Sequence, residues 1–153
     1  MKIMDILVKD ALILNLGVRT KRDVLGEMSA ALAKVEPQIE AGRLLEVLLE
    51  REELQSTGIG EGVAIPHGKM AGLDRLVASF ARSSEGVEFE SIDGQLTHHF
   101  FLLVVPEHSG GQYLKALARI SRFFRDASFR QRLTDSETLE DVLHTIEDED
   151  AAL

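Results

Sequence analysis

The chain has no cysteine. Disulfides, Cys-ligated zinc and thiol nucleophiles are therefore ruled out, and cysteine chemistry leaves the redox compartment unread. No apolar run approaches the roughly 20 residues that a membrane-spanning helix needs. The first residues, MKIMDILVKD, set charges among apolar positions and hold neither a signal-peptide core nor a cleavage site. A cytoplasmic protein without membrane insertion is the expectation. Basic residues are in deficit as well: 17 Lys and Arg stand against 26 Asp and Glu, a net charge of −9. That argues against nucleic acid as the main ligand, because phosphate backbones are bound by clustered Lys and Arg. An acidic balance otherwise describes a solvated surface. Internal repeats, long linkers and low-complexity blocks are missing too.

What is present is ordinary for a globular protein, with 44 % hydrophobic and 28 % charged residues. A length of 153 residues suits one compact domain, expected over 1–153, with an acidic tail at 147–153 that frays. Ala11 to Leu16 reads as a strand. Thr20 caps a helix in a capping-box arrangement with Asp23, and its stripe is Val24, Leu25, Met28, Leu32 and Val35. After Pro37 a second stripe follows at Ala41, Leu44, Leu45, Leu48 and Leu49. Both stripes are core faces. Leu76 to Arg82 reads as a buried strand, Val87 to Phe89 as a weaker one, and Asp93-Gly94 as a turn between antiparallel strands. His99 to Val105 is apolar on both alternating faces, as in a central strand covered on both sides. Three helical segments follow. One has Leu114, Leu117, Ala118, Ser121 and Phe124 on one face, one spans Phe129 to Leu133, and one is capped by Ser136 with the stripe Leu139, Val142, Leu143 and Ile146. An α/β fold with a helix-covered sheet is expected.

The chemistry is expected at Ser56 to Lys69, STGIGEGVAIPHGK, where glycines alternate at 58, 60 and 62 before Pro66-His67-Gly68. Proline stiffens the chain ahead of a histidine whose next residue has no side chain to cover it. Two readings stand. His67 is set out for another molecule to reach, or it sits in a buried turn satisfying a hydrogen bond. Of the other histidines, His98 and His99 point to opposite faces of a strand and cannot readily chelate one ion. His108 lies in the loop after the central strand, and His144 falls between apolar positions of the last helix. A serine nucleophile elbow, a Walker A loop and the G-x-G-x-x-G fingerprint are all lacking. A neutral imidazole, however, is a competent nucleophile towards a phosphoryl group. Donors for phosphate oxygens are available in glycine N–H groups such as those of Gly58 and Gly68, the Ser56 and Thr57 hydroxyls, Lys69 and Arg51. Arg51 is equally readable as a surface cation.

The run Arg51 to Lys69, REELQSTGIGEGVAIPHGK, closely resembles the active-site segment of the mannitol/fructose-type enzyme IIA domains. These belong to the bacterial phosphoenolpyruvate-dependent phosphotransferase system. The HGK continuation is most similar to the nitrogen-regulatory branch of that family. The likeness extends over nearly the whole chain, including Phe101 to Glu107, FLLVVPE, and the helix after it. It implies a mixed sheet flanked by helices, no cofactor, and a phosphohistidine that maps onto His67 at Nε2. It implies an assisting arginine that maps onto Arg51, an HPr-like histidine phosphocarrier as donor, and regulatory protein partners. A sugar-specific subunit passing phosphate to a IIB protein, and a binding module that no longer transfers, are the alternatives. Related domains carry a second histidine where this chain has Tyr113. The departure has three readings: the phenol keeps the hydrogen-bonding role, His108 replaces it from the loop, or transfer is altered.

Overall fold

Every side chain from Phe100 to Val105 has 0 % exposure, which a strand achieves only when both of its faces are covered. In the computed structural model of residues 1–153 these residues form the middle of β5 (Thr97–Pro106). Along one side β5 pairs antiparallel with β4 (Val77–Val87). Along the other it pairs in parallel with β2 (Val63–Ala64) and then, past Pro66, with β3 (His67–Met70). β1 (Gly58–Gly60) folds back on β2 as a hairpin. The glycine run is therefore a pair of short strands rather than a loop.

Alternation along β5 sorts the core. Phe101, Leu103 and Val105 pack with Ile120, Phe123 and Phe124 of α3 (Gly111–Arg125), Phe129 of α4 (Ala127–Asp135) and Ile146 of α5 (Leu139–Ala152). Phe100, Leu102 and Val104 pack with Val24, Leu25 and Met28 of α1 (Lys21–Val35) and with Leu44 and Leu48 of α2 (Ala41–Leu54). Each such side chain contributes about 1.5–3 kcal/mol on burial. The result is the mixed sheet with helices on both faces that the sequence led us to expect.

Four local expectations need correction. Ala11 to Leu16 runs beside β4 but only touches it: Val8 N donates to Ala78 O at 2.8 Å and Ile13 N to Phe80 O at 3.0 Å. A 3-10 turn at Lys9–Ala11 lifts the intervening residues out of the ladder. On α3 the buried face is Ala116, Ile120, Phe123 and Phe124, while Leu114 is 65 % exposed. That helix carries two apolar stripes, and the sheet selected the one with the larger aromatics. α5 is capped by Thr138 in a full capping box with Asp141, not by Ser136. Finally, the acidic tail is not frayed. α5 continues to Ala152, and Asp150, 4 % exposed, accepts from Ile3 N (3.0 Å), Met4 N (2.8 Å) and Arg119 Nε (3.1 Å). The carboxylate ties the two ends of the chain together.

His99 is the one ionisable group on the inner part of β5. Its ring stacks on Phe80 and Phe124, with centroids 6.1 and 6.3 Å away. Burial, helped by the positive charges of His98, Arg82 and Arg130, lowers its pKa from 6.5 to about 4. Between those values the unfolded chain binds a proton that the folded chain refuses, so stability falls as pH drops from 6.5 towards about 4. The loss amounts to about 3 kcal/mol. Denaturant midpoints measured across that window should fall steeply for the wild type and less so for His99→Phe, which keeps the aromatic stack without the titration.

Candidate functional site

His67 opens β3, the strand that resumes pairing with β5 after Ile65-Pro66 interrupts the edge. Pro66 has no N–H to give, but its carbonyl accepts from Leu103 N at 3.0 Å, so the break is held against the sheet. The imidazole is 9 % exposed. It is not set out in solvent; it lies in a slot between α2 and the start of α3.

Both ring nitrogens have partners, and these fix the tautomer. Nδ1 lies 2.8 Å from Ile65 O. A carbonyl only accepts, so Nδ1 carries the proton and Nε2 holds the lone pair. Arg51 Nε donates towards Nε2 at 3.3 Å. Burial lowers the pKa of the ring below 6.5. The Ile65 hydrogen bond opposes that shift, the Arg51 charge adds to it, and Glu52 opposes it. The ring is thus held neutral at neutral pH with its nucleophilic nitrogen towards a guanidinium. Arg51 is also braced, by Nη1 donating to Gln55 O at 2.9 Å, so its guanidinium is held against the ring rather than swung out into solvent.

His67 and Lys69 share a face of β3 by strand alternation. Tyr113 lies across that face, its ring centroid 5.8 Å from that of His67, and Lys69 Nζ lies 5.6 Å from the phenol centroid. The tyrosine thus stands beside the ring, and its hydroxyl makes no hydrogen bond within the protein. His108 is exposed in the turn after β5 and has no hydrogen bond to His67. The structure favours Tyr113 over His108 as the neighbour of the ring.

Ser56, Thr57 and Gly58 turn out to have other tasks. The Ser56 hydroxyl donates to Phe89 O at 2.7 Å and accepts from Gly58 N at 3.1 Å. Thr57 gives its N–H (3.0 Å) and its hydroxyl to the Glu52 carboxylate. Gly58 is needed for space, since a Cβ there would lie 2.9 Å from Ser91 Cα. At the hairpin turn Glu61 N donates to Asp93 Oδ2 at 3.1 Å, away from His67. The N–H groups of Gly58 and Glu61 are therefore already used and do not contribute to an anion nest around the histidine.

Glu52 is the residue that the sequence reading missed. It is 8 % exposed and pairs with Lys21 Nζ at 3.1 Å. Thr57, held by Glu52, accepts from Ile65 N at 3.1 Å, and Ile65 O in turn fixes His67. A chain of polar contacts thus runs from α1 to the imidazole. The signal was available: 44, 48 and 52 step along one face of α2, so the carboxylate falls on its buried side.

Gly68 acts through packing. A Cβ at this position would lie 2.6 Å from Val47 Cγ1 on α2, the helix that carries Arg51. Gly68→Ala should therefore destabilise the fold by about 1–3 kcal/mol, read as a lower denaturant midpoint at unchanged m-value. Val47→Ala in the same chain should recover part of the loss.

The architecture matches proteins already known. Residues 5–149 match the family model described as "Phosphoenolpyruvate-dependent sugar phosphotransferase system, EIIA 2". The chain belongs to this EIIA 2 family. A curated relative named "Nitrogen regulatory protein", from Bradyrhizobium diazoefficiens, is 43 % identical over 136 residues, covering 89 % of this chain and 88 % of that protein. The crystal structure of nitrogen regulatory protein IIA-Ntr from Neisseria meningitidis superimposes with a TM-score of 0.87 at 33 % identity, over 93 % of this chain and 97 % of that one. Mannitol IIA of Escherichia coli shares the fold, with a TM-score of 0.76 at 20 % identity over 91 % of this chain and 97 % of that one. As an EIIA 2 protein the chain is a component of the phosphotransferase system. No helix in it is long and apolar enough to cross a membrane.

Proposed function

We propose that this EIIA 2 protein is a cytoplasmic phosphocarrier of the nitrogen branch, accepting a phosphoryl group on Nε2 of His67. The observation that carries this reading is the pair of contacts on the ring, with the proton of Nδ1 on Ile65 O and the lone pair of Nε2 facing Arg51. A ring so held needs no proton removed before it attacks phosphorus. The donor is an HPr-like phosphocarrier whose own phosphohistidine presents the group in line with Nε2. As the new N–P bond forms, the donor's own N–P bond breaks and its electron pair returns to the donor imidazole, while Arg51 turns its donors from the lone pair to the equatorial oxygens. Tyr113 lends its free hydroxyl, and Lys69 adds charge beyond the phenol. The bound group adds about −1.5 to −2 charge to the slot, enough to change which regulatory proteins fit it.

The test is a relay assay. Phosphoenolpyruvate, enzyme I and the HPr-like carrier are mixed with the protein, and the intact mass is followed. One acid-labile phosphoryl group on the wild type and none on His67→Ala is the expected outcome. An unmodified wild type, beside a carrier that has demonstrably been charged, would overturn the proposal and leave a binding module in its place.

A further inference from the structure

Arg82, in the middle of β4, is a charged residue that the His67 slot does not use. It is 8 % exposed. Its hydrogen bonds all go to neutral oxygens: Nε to Leu14 O (3.1 Å), Nη1 to Leu133 O (2.9 Å) and to the Thr134 and Ser136 carbonyls, and Nη2 to Asn15 Oδ1 (3.2 Å). The carbonyls at the end of α4 offset part of the guanidinium charge, as basic groups at helix C-termini do. They do not supply a full counter-charge, and a buried cation is costly without one. The chain has 26 carboxylate side chains, yet none forms an ion pair with Arg82.

The guanidinium borders a cavity of about 470 Å³ between β4, β5 and α4, where the pairing of β4 with β5 is interrupted between Arg82 and Val87. Ala127 is the one apolar residue on its wall. His98 and His99, which alternate faces in a regular strand, both reach this cavity. The volume is within the range of small-molecule sites, about 300–1,000 Å³. Arg130 also lines the cavity, its Nη1 donating to Phe124 O and its Nη2 lying 3.7 Å from the carboxylate of Glu61, a side chain that is 76 % exposed and open to exchange for another anion. Ser83 accepts from Gly86 N at 3.0 Å and keeps its hydroxyl proton free, and Ser84 offers an exposed hydroxyl. His99 has no partner for its buried Nδ1. No three His, Cys, Asp or Glu side chains converge as a metal cage would require. The wall therefore offers fixed positive charge and hydroxyl donors.

We propose that this cavity is a second ligand site, which binds a small anion, a phosphate- or carboxylate-bearing metabolite, between Arg82 and Arg130. The site is separate from the phosphotransfer slot. His99 pairs with Val63 on β2, and Leu103, four residues further along β5, pairs with His67. At the rise of a strand that separation is about 13 Å. Glu61 and Gly62, at the mouth of the cavity, turn directly into β2, so the site adjoins the segment that leads to His67.

The test is a titration of the isotopically labelled protein, followed by the backbone amide NMR signals of Gly62, Ser83, Ser84 and Gln131. Inorganic phosphate and malonate are added in separate arms, against sodium chloride at matched ionic strength. Saturable shifts at these amides with a Kd of about 1 mM or tighter are expected in at least one arm, and the stronger arm identifies the anionic group. His67→Ala should bind unchanged. Arg130→Ala should weaken binding about tenfold or more. Ser84→Glu, a surface change that leaves the fold intact, should do the same by setting a carboxylate in the cavity. Three results would overturn the proposal: shifts that follow chloride, binding lost in His67→Ala, or binding indifferent to Ser84→Glu. Arg82 would then act only as the cap of α4.

Discussion

Arg51→Ala is expected to slow phosphorylation of His67 in the relay assay by about 10²–10³-fold, the loss found when a preorganised donor to a developing anion is removed. The expectation follows from geometry. Arg51 Nε is 3.3 Å from His67 Nε2, and its Nη1 is tied to Gln55 O at 2.9 Å. The guanidinium is thus already beside the nitrogen where the phosphoryl group would arrive. The final stoichiometry should remain one group per chain, because His67 keeps its Ile65 hydrogen bond and its tautomer. Arg51→Lys should recover only part of the rate, since an ammonium lacks the planar fork that meets two phosphate oxygens together. Initial rates of charging under limiting carrier separate the two variants from the wild type. A rate for Arg51→Ala equal to that of the wild type would assign the arginine to the structure of α2 alone.

The second large effect is on stability. Asp150→Ala should cost about 3–5 kcal/mol, the usual result of removing one partner of a buried pair. Asp150 and Arg119 have side chains 2 % and 12 % exposed. The substitution leaves the guanidinium with only its bond to the residue 150 carbonyl (2.9 Å) and strands the N–H groups of Ile3 and Met4. Asp150→Asn should fall between, since one amide oxygen replaces two carboxylate acceptors. Urea denaturation reads both variants. A frayed tail would make the alanine variant indistinguishable from the wild type.

How much of this was legible in the sequence follows from what each signal measures. β5 was legible because Phe100 to Val105 is apolar at both parities, a pattern that a central strand satisfies. α1 and α2 were legible because their stripes repeat at helical spacing above polar faces. α3 was misread because Leu114 and Leu117 compete with Ala116, Ile120 and Phe123, and only the shape of the sheet decides between the stripes. Asp150 was misread because composition marks an acidic terminus as solvated, while its partners lie 146 and 147 residues away.

The site divides in the same manner. The Pro-His-Gly setting singled out His67 but not its burial, since the ring is 9 % exposed rather than set out, and Arg51 acquired its expected role through the family resemblance. That the hydroxyls of Ser56 and Thr57 already have partners was not legible. Ser56 is held by Phe89, 33 residues on, and Thr57 by Glu52, a carboxylate on the buried side of a helix. Hydrogen bonds of that range leave no periodic trace. Hydroxyl-bearing residues beside a histidine therefore look free in a sequence when the fold has already used them.

The role proposed for His67 turns on whether it carries the phosphoryl group, and on which atom. The direct measurement is nitrogen–phosphorus correlation NMR on ¹⁵N-histidine-labelled protein charged through the relay. The expected spectrum shows phosphorus coupled to Nε2 of His67, with Nδ1 still protonated and hydrogen-bonded to Ile65 O. Phosphorus on Nδ1, on another residue, or absent from the protein beside a charged carrier would contradict it.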